Sequence, residues 1–286
     1  MKWSLKLHFT KSFKAFSLVE MLVAMAVFAL LMLVLSQMLG LAKSSLQMGR
    51  RRVDALGKGR ITLDLIANDL TQGIFRPDLP AFKDKDGSDS SLSGNYAFYT
   101  RRAAGDERAV SLVSYRQTQD KAHARLERGA LAMKWSYSES QSLHFGVTGL
   151  NALGSMDSLG EYQEVFSGVA AFRMFFLNIN PKTGKMDFSS HYENKEDEVS
   201  RIVGVTIVIM DDATEKAFSD LGKIEMLVQH PAFELPHDLQ DGIKKVWDQK
   251  MSDPEFSKKI PSPVRLSNGI RCFERFVPIS TERPTP

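Results

Sequence analysis

Residues 14–35 read "KAFSLVEMLVAMAVFALLMLVL". From Met21 to Leu35 there are 15 consecutive apolar residues, with one ionisable group, Glu20, just ahead of them. Adding Phe16–Val19 in front and Ser36–Ala42 behind gives 27 residues with that single charge. As a helix this length crosses a hydrocarbon core of about 30 Å. A secretory signal has a shorter apolar core, about 7–15 residues, with a small-x-small cleavage site behind it. Here the helical pattern runs on through "SQMLGLAKSS" without a break.

Working outward from the span, residues 1–15 carry Lys2, Lys6, Lys11 and Lys14 and no acid. A basic leader before an apolar run is a targeting pattern. Without it, 33 basic residues face 34 acidic ones. That balance gives no argument for nucleic acid as a partner. Lys43, Arg50, Arg51 and Arg52 follow the span, but the arginines lie 15 or more residues past Leu35. Their weight on orientation is therefore smaller than that of the leader, which places the N-terminus in the cytoplasm. The 286 residues hold one cysteine, Cys272, so an internal disulfide is excluded. A disulfide-stapled secreted domain is excluded with it.

A charge near the bilayer interior is costly and usually has a partner. On position alone, Glu20 is either an interfacial carboxylate facing water or one half of a pair. The leader ending in Ala15, the "FSLVE" that follows and the unbroken apolar helix together resemble the processing signature of type IV pilins and pseudopilins. The resemblance covers residues 11–42. It implies that a prepilin peptidase cuts between Ala15 and Phe16 and methylates the new amine of Phe16. It also implies that Glu20 pairs with the N-terminal amine of a neighbouring subunit during assembly. Ser17, Leu18 and Val19 fit the intervening pattern. Ala15 departs from it, because the family nearly always has glycine there. A buried carboxylate is costly unless paired, so such a charge is expensive in a lone subunit, tolerable in an assembly, and can set register.

Beyond the span, Val53, Leu56, Leu63, Ile66, Ala67, Leu70 and Ile74 recur at helical spacings. Gly57 and Gly59 weaken this helix by about 1 kcal/mol each relative to alanine. It is expected to end near Phe75, ahead of Pro77 and Pro80. Strand-like runs follow at 96–100, 109–117, 124–135, 142–148, 169–179, 201–210 and 224–230. The run 201–210, "RIVGVTIVIM", is apolar on both alternations and is expected to be a central strand covered on both faces. "NPKTGK" (180–185) reads as a hairpin turn, 213–221 and 238–251 as helices, and 267–279 as a closing hairpin turning at Asn268-Gly269. The expected fold class is α+β: a long N-terminal helix, half transmembrane and half amphipathic, packed on an antiparallel β-sheet domain. The divisions are a leader (1–15), a membrane half (16–42), an amphipathic half (43–76), a β-rich domain (77–279) and a disordered tail (280–286). This order resembles the larger minor pseudopilins, such as subunit J of type II secretion systems, W-type minor pilins and pilin-like cassette proteins of Verrucomicrobia.

No G-x-S-x-G, phosphate loop or H-E-x-x-H spacing is present. The pattern therefore points to a structural subunit rather than an enzyme, with no cofactor. "DKDGSD" offers Asp84, Asp86 and Asp89 as calcium ligands, but Asn95 stands where an EF-hand loop needs a bidentate glutamate. The other reading is a solvated loop. "ENKEDE" (193–198) is either a solvated hairpin tip or a partner-binding patch. "GRRR" (49–52) is either a solvated helix face or a contact for anionic headgroups. Cys272 reads as a buried strand thiol. Two functions stay open. One is a subunit of a short envelope filament in a type II secretion or type IV pilus-like system, anchored in the inner membrane with its globular domain in the periplasm. Its partners would be the prepilin peptidase and other pilin-like subunits. The alternative is an uncleaved single-pass membrane-anchored binding or sensory domain.

Overall fold

The computed structural model describes residues 17–75, 95–101, 110–133, 162–180, 182–184, 186–189, 199–233, 242–259 and 269–280. The chain divides into two compact units, residues 1–50 and 51–286. In the first, the described residues belong to the opening stretch of helix α1 (Leu18–Thr71), and all of them are exposed. The helix continues through Gly57 and Gly59 and stops at Thr71, earlier than the expected Phe75. Gly73 instead bridges to Thr100, and the Ile74 N–H donates to the Tyr99 carbonyl at 2.7 Å. The chain after α1 has thus already joined a sheet edge.

The second unit contains two four-stranded antiparallel sheets among the described residues, where one sheet domain was expected. The first orders β1 (Asn95–Thr100), β2 (Val110–Gln119), β3 (Ala124–Met133) and β4 (Tyr162–Ser167) as a meander. The second has the order β6 (Met186–Ser189), β5 (Val169–Ile179), β7 (Val199–Met210), β8 (Ile270–Pro278). Gly168, at φ +79°, is the single residue between β4 and β5, and there the chain passes from one sheet to the other. A left-handed backbone conformation suits glycine, which has no Cβ to clash.

The two sheets and the inner face of α1 share one core. It includes Ile66 and Leu70 from the helix, Tyr96 and Tyr115 from the first sheet, and Phe172 and Ile207 from the second. The Tyr96 and Phe172 rings meet edge to face at 5.4 Å. β7 sits between β5 and β8, with Val203, Val205, Ile207 and Ile209 in this core. Its Val208 and Met210 enter a second core beneath the C-terminal helices. The expected doubly covered central strand is therefore present. The second core gathers around Trp247 and is roofed by α2 (Asp212–Asp220), α3 (Ile224–Val228), α4 (Ile243–Ser252) and α5 (Pro254–Lys259).

Four local expectations change. Residues 224–230 were expected as a strand, but 224–228 form α3. Ile224 and Leu227 recur at helical spacing and are both buried, while Glu225 and Met226 face outward. Residues 267–279 do not make a hairpin. β8 is one strand paired with β7 from Ile270↔Met210 to Pro278↔Ile202. Gly269 serves a different purpose from a turn: its carbonyl accepts from the Asp211 N–H, and a Cβ there would lie 1.9 Å from Thr214 Oγ1. The helix stripe is also rotated. Val53 (67% exposed) and Leu56 (48%) face out, while Ala55, Gly59, Thr62 and Asp69 turn in. β4 was not anticipated, because "YQEVFS" is a mostly polar edge strand. The "NPKTGK" turn does join β5 to β6, with Gly184 at φ +68°. The expected strand 142–148 lies outside the described residues.

Asp69 fixes the helix to the first sheet. Its side chain is fully buried, and its Oδ2 accepts from Tyr115 Oη at 2.6 Å and Arg128 Nε at 2.7 Å. Burial, reinforced by the carboxylate, pushes the Tyr115 phenol well above its ordinary range. Burial alone would lower the Arg128 guanidinium, but the bond and charge of Asp69 outweigh it and hold the group more firmly protonated.

Candidate functional site

The start of α1 is built by Ser17 and Glu20. The Glu20 carboxylate accepts from the Ser17 N–H at 3.0 Å and from Ser17 Oγ at 3.1 Å, and the Glu20 N–H donates to Ser17 Oγ at 3.2 Å. This is a reciprocal capping box. The hydroxyl at the N-cap and the carboxylate at the third helical position satisfy backbone donors that have no partner within the helix. The anionic side chain also meets the positive end of the helix dipole. The S-x-x-E spacing is a capping signal legible in the sequence, whereas Ser17 entered the expectation only as part of the pattern between Phe16 and Glu20. Ser17 is thus a site residue that the sequence reading passed over.

Both Ser17 and Glu20 are exposed, as is every residue from 17 to 54. Large apolar side chains, among them Leu22, Met25, Phe28, Leu31 and Leu35, present themselves on all sides. A helix apolar all round calls for an apolar environment. α1 is long and apolar enough to cross a membrane. Ala15 and Phe16 lie outside the described residues, with position 16 immediately before the capping serine.

The remaining sequence candidates scatter. Asp84, Asp86 and Asp89, and the acidic run 193–198, fall outside the described residues. His123 Nδ1 lies 3.1 Å from Glu215 Oε1, which also accepts from the Gly168 N–H at 3.0 Å. That carboxylate ties the β2–β3 turn and the β4–β5 joint to α2. His230 lies edge to face with Phe256 at 4.8 Å. Cys272 is a buried thiol on β8, as expected, and burial pushes its pKa up. Arg50, Arg51 and Arg52 stand on the exposed stretch of α1.

Residues 10–36 match a family model described as the prokaryotic N-terminal methylation motif. No curated protein matches the chain, and no solved structure does. The matched segment contains the Ala15–Phe16 bond, the capping box and most of the apolar run. The motif implies processing by a prepilin peptidase and assembly with other pilins, and it points to a structural subunit rather than an enzyme. With the long apolar helix it supports a type IV pilin-like protein anchored to a membrane by its N-terminal segment.

Proposed function

We propose that this chain is a pseudopilin or minor pilin, cut between Ala15 and Phe16 and N-methylated at Phe16. It joins a short envelope filament of a type II secretion or type IV pilus-like system. The leader remains in the cytoplasm, α1 anchors the subunit in the inner membrane, and the β-rich domain lies in the periplasm. One observation carries this reading. Glu20 stands on the first turn of an exposed apolar helix, inside the matched motif. Ser17 satisfies its hydrogen bonds but does not neutralise its charge. A cleaved amine at Phe16 would supply a cation at the same depth, and a neighbouring subunit displaced along the axis would present it to Glu20. The carboxylate thereby becomes a register contact between subunits, because its charge is compensated only when the stacking is correct.

N-terminal sequencing and intact mass of membrane-extracted protein test the reading. The expected mature chain begins with N-methyl-Phe16. An intact Met1 would overturn it and leave an uncleaved anchored domain. Ala15→Gly should leave the cut unchanged or faster. A bulky residue at 15 should block it, because the site preceding the scissile bond takes small side chains in this family.

A further inference from the structure

We propose that the free edge of β8, flanked by α1, receives an extended acidic segment of another polypeptide as an added strand. β8 is the last strand of the second sheet, and β7 is its one strand neighbour among the described residues. The two pair over all nine residues of β8 without a bulge. An edge strand turns half of its backbone N–H and C=O groups away from its neighbour. No described residue hydrogen-bonds to that outward row of β8. The C-terminal half of the strand is open as well: Arg275, Phe276 and Pro278 are exposed, Phe276 at 46%. A row of alternating donors and acceptors is matched by the backbone of another strand.

The flanks define what that strand carries. Successive strand residues alternate between faces, so Arg271, Phe273, Arg275 and Val277 share one face and Cys272, Glu274 and Phe276 the other. The first face meets α1: Arg275 Nη1 donates to Asp64 Oδ1, and the Phe273 ring lies against Gly59. Val53, Leu56 and Arg60 share the Asp64 side of the helix, at spacings of three and four, and all three are exposed. Charge on this side is unbalanced. Arg275 and Arg60 share Asp64, and Arg271 has no carboxylate partner among the described residues. On the opposite face, Glu274 is already engaged by Thr206 Oγ1 at 2.9 Å and the Lys244 N–H at 3.0 Å, which leaves Phe276 as the contact. The complementary strand therefore carries acidic side chains on the alternation facing α1 and apolar ones on the other. A second copy of β8 does not fit. Antiparallel pairing centred on Phe273 would set Arg271 opposite Arg275 twice, and like charges directly opposite are destabilising.

The edge belongs to the β-rich unit, so the proposal stands apart from cleavage at Phe16. The probe is the synthetic peptide acetyl-TVEVEVET-amide, titrated into the purified full chain in detergent, with hydrogen exchange read at single β8 amides. It should slow exchange between Phe273 and Val277. It should also bind several-fold more tightly than its lysine counterpart, because opposite charges across strands attract and like charges repel. Methylating every peptide nitrogen of the probe removes its donors and should abolish the protection. Arg271→Glu should weaken the acidic peptide several-fold and strengthen the lysine one, a reversal that misfolding would not produce. Equal binding of the two peptides by the wild type would overturn the proposal, as would undiminished binding of the methylated probe or an unchanged preference in Arg271→Glu. Self-association of the chain with the same amides protected would assign the edge to a second copy and overturn it too.

Discussion

Replacing Asp69 by alanine should unlock α1 from the first sheet. The substitution removes the acceptor of two short hydrogen bonds, from Tyr115 Oη at 2.6 Å and Arg128 Nε at 2.7 Å. The Tyr115 hydroxyl is left in a fully buried environment. Losing one partner of a buried bond costs about 1–3 kcal/mol. Removing one member of a buried ion pair costs about 3–5 kcal/mol. Arg128 retains 22% side-chain exposure and can turn partly to water, so the lower part of that range applies. A loss of about 3 kcal/mol results, against a whole-domain stability of about 5–15 kcal/mol. For a unit of this size that corresponds to a fall of about 6–12 °C in Tm. Thermal unfolding of the detergent-solubilised chain, followed through the buried Trp247, measures it. Asp69→Leu/Arg128→Met/Tyr115→Phe, which removes all three polar groups together, should recover much of the loss. An Asp69→Ala shift below about 2 °C would refute the idea that this carboxylate holds helix to sheet.

The two glycines of α1 should respond oppositely to alanine. Gly57 faces open space, and substitution should stabilise by up to about 1 kcal/mol. A Cβ at Gly59 would lie 2.8 Å from the Phe273 ring, so overpacking of about 1–3 kcal/mol should outweigh the propensity gain; a Gly59→Ala midpoint at or above wild type in urea would contradict this packing. Stability should also fall in alkali. Burial raises the Tyr99 phenol to about 12 and pushes Tyr115 and Cys272 upward, so these groups favour the folded state fully below their unfolded pKa values. As pH rises from about 9 toward 12, each should cost about 1.4 kcal/mol per pH unit once its unfolded form has ionised; an unchanged urea midpoint between pH 9 and 11 would count against buried, neutral groups. Finally, Glu20→Leu should leave membrane insertion intact and reduce recovery of other pilin-like subunits after crosslinking. Glu20→Gln should give an intermediate recovery.

The elements that sequence revealed are those whose burial pattern is simple. β5 and β7 are apolar on both faces and bounded by turn residues, so their ends fall within two residues of expectation. α2 was expected at 213–221 and lies at Asp212–Asp220, where Asp211 caps it by accepting from the Thr214 N–H at 2.7 Å. β4 stayed hidden because an edge strand buries little and needs no apolar alternation. α3 is five residues long, too short to separate a helical period from a strand run. Asp69 was invisible for a related reason. A search for an apolar stripe discards charges, yet the inner face of α1 contains one that finds its partners 46 and 59 residues away. At the N-terminus, attention fell on Glu20, which lies within the matched motif. The local role of Ser17 needed only the capping rule, applied to the same five residues.

The capping box bears on how Glu20 can serve assembly at all. A carboxylate free to rotate would lose side-chain entropy on pairing and could turn toward water at the interface. In this chain the Glu20 carboxylate already holds two hydrogen bonds from Ser17, which hold it against the first turn of the helix. Hydrogen bonding fixes its position while leaving its charge to be compensated. The two functions are separable, because glutamine at the third helical position can still cap but carries no charge. Recovery of partner subunits with Glu20→Gln close to the wild-type level would assign the residue to helix initiation alone. Recovery as poor as with Glu20→Leu would assign it to charge alone. The intermediate outcome follows when the cap aims the carboxylate and the charge makes the bond. In that case Ser17→Ala should weaken assembly as well, although it leaves every charge in place.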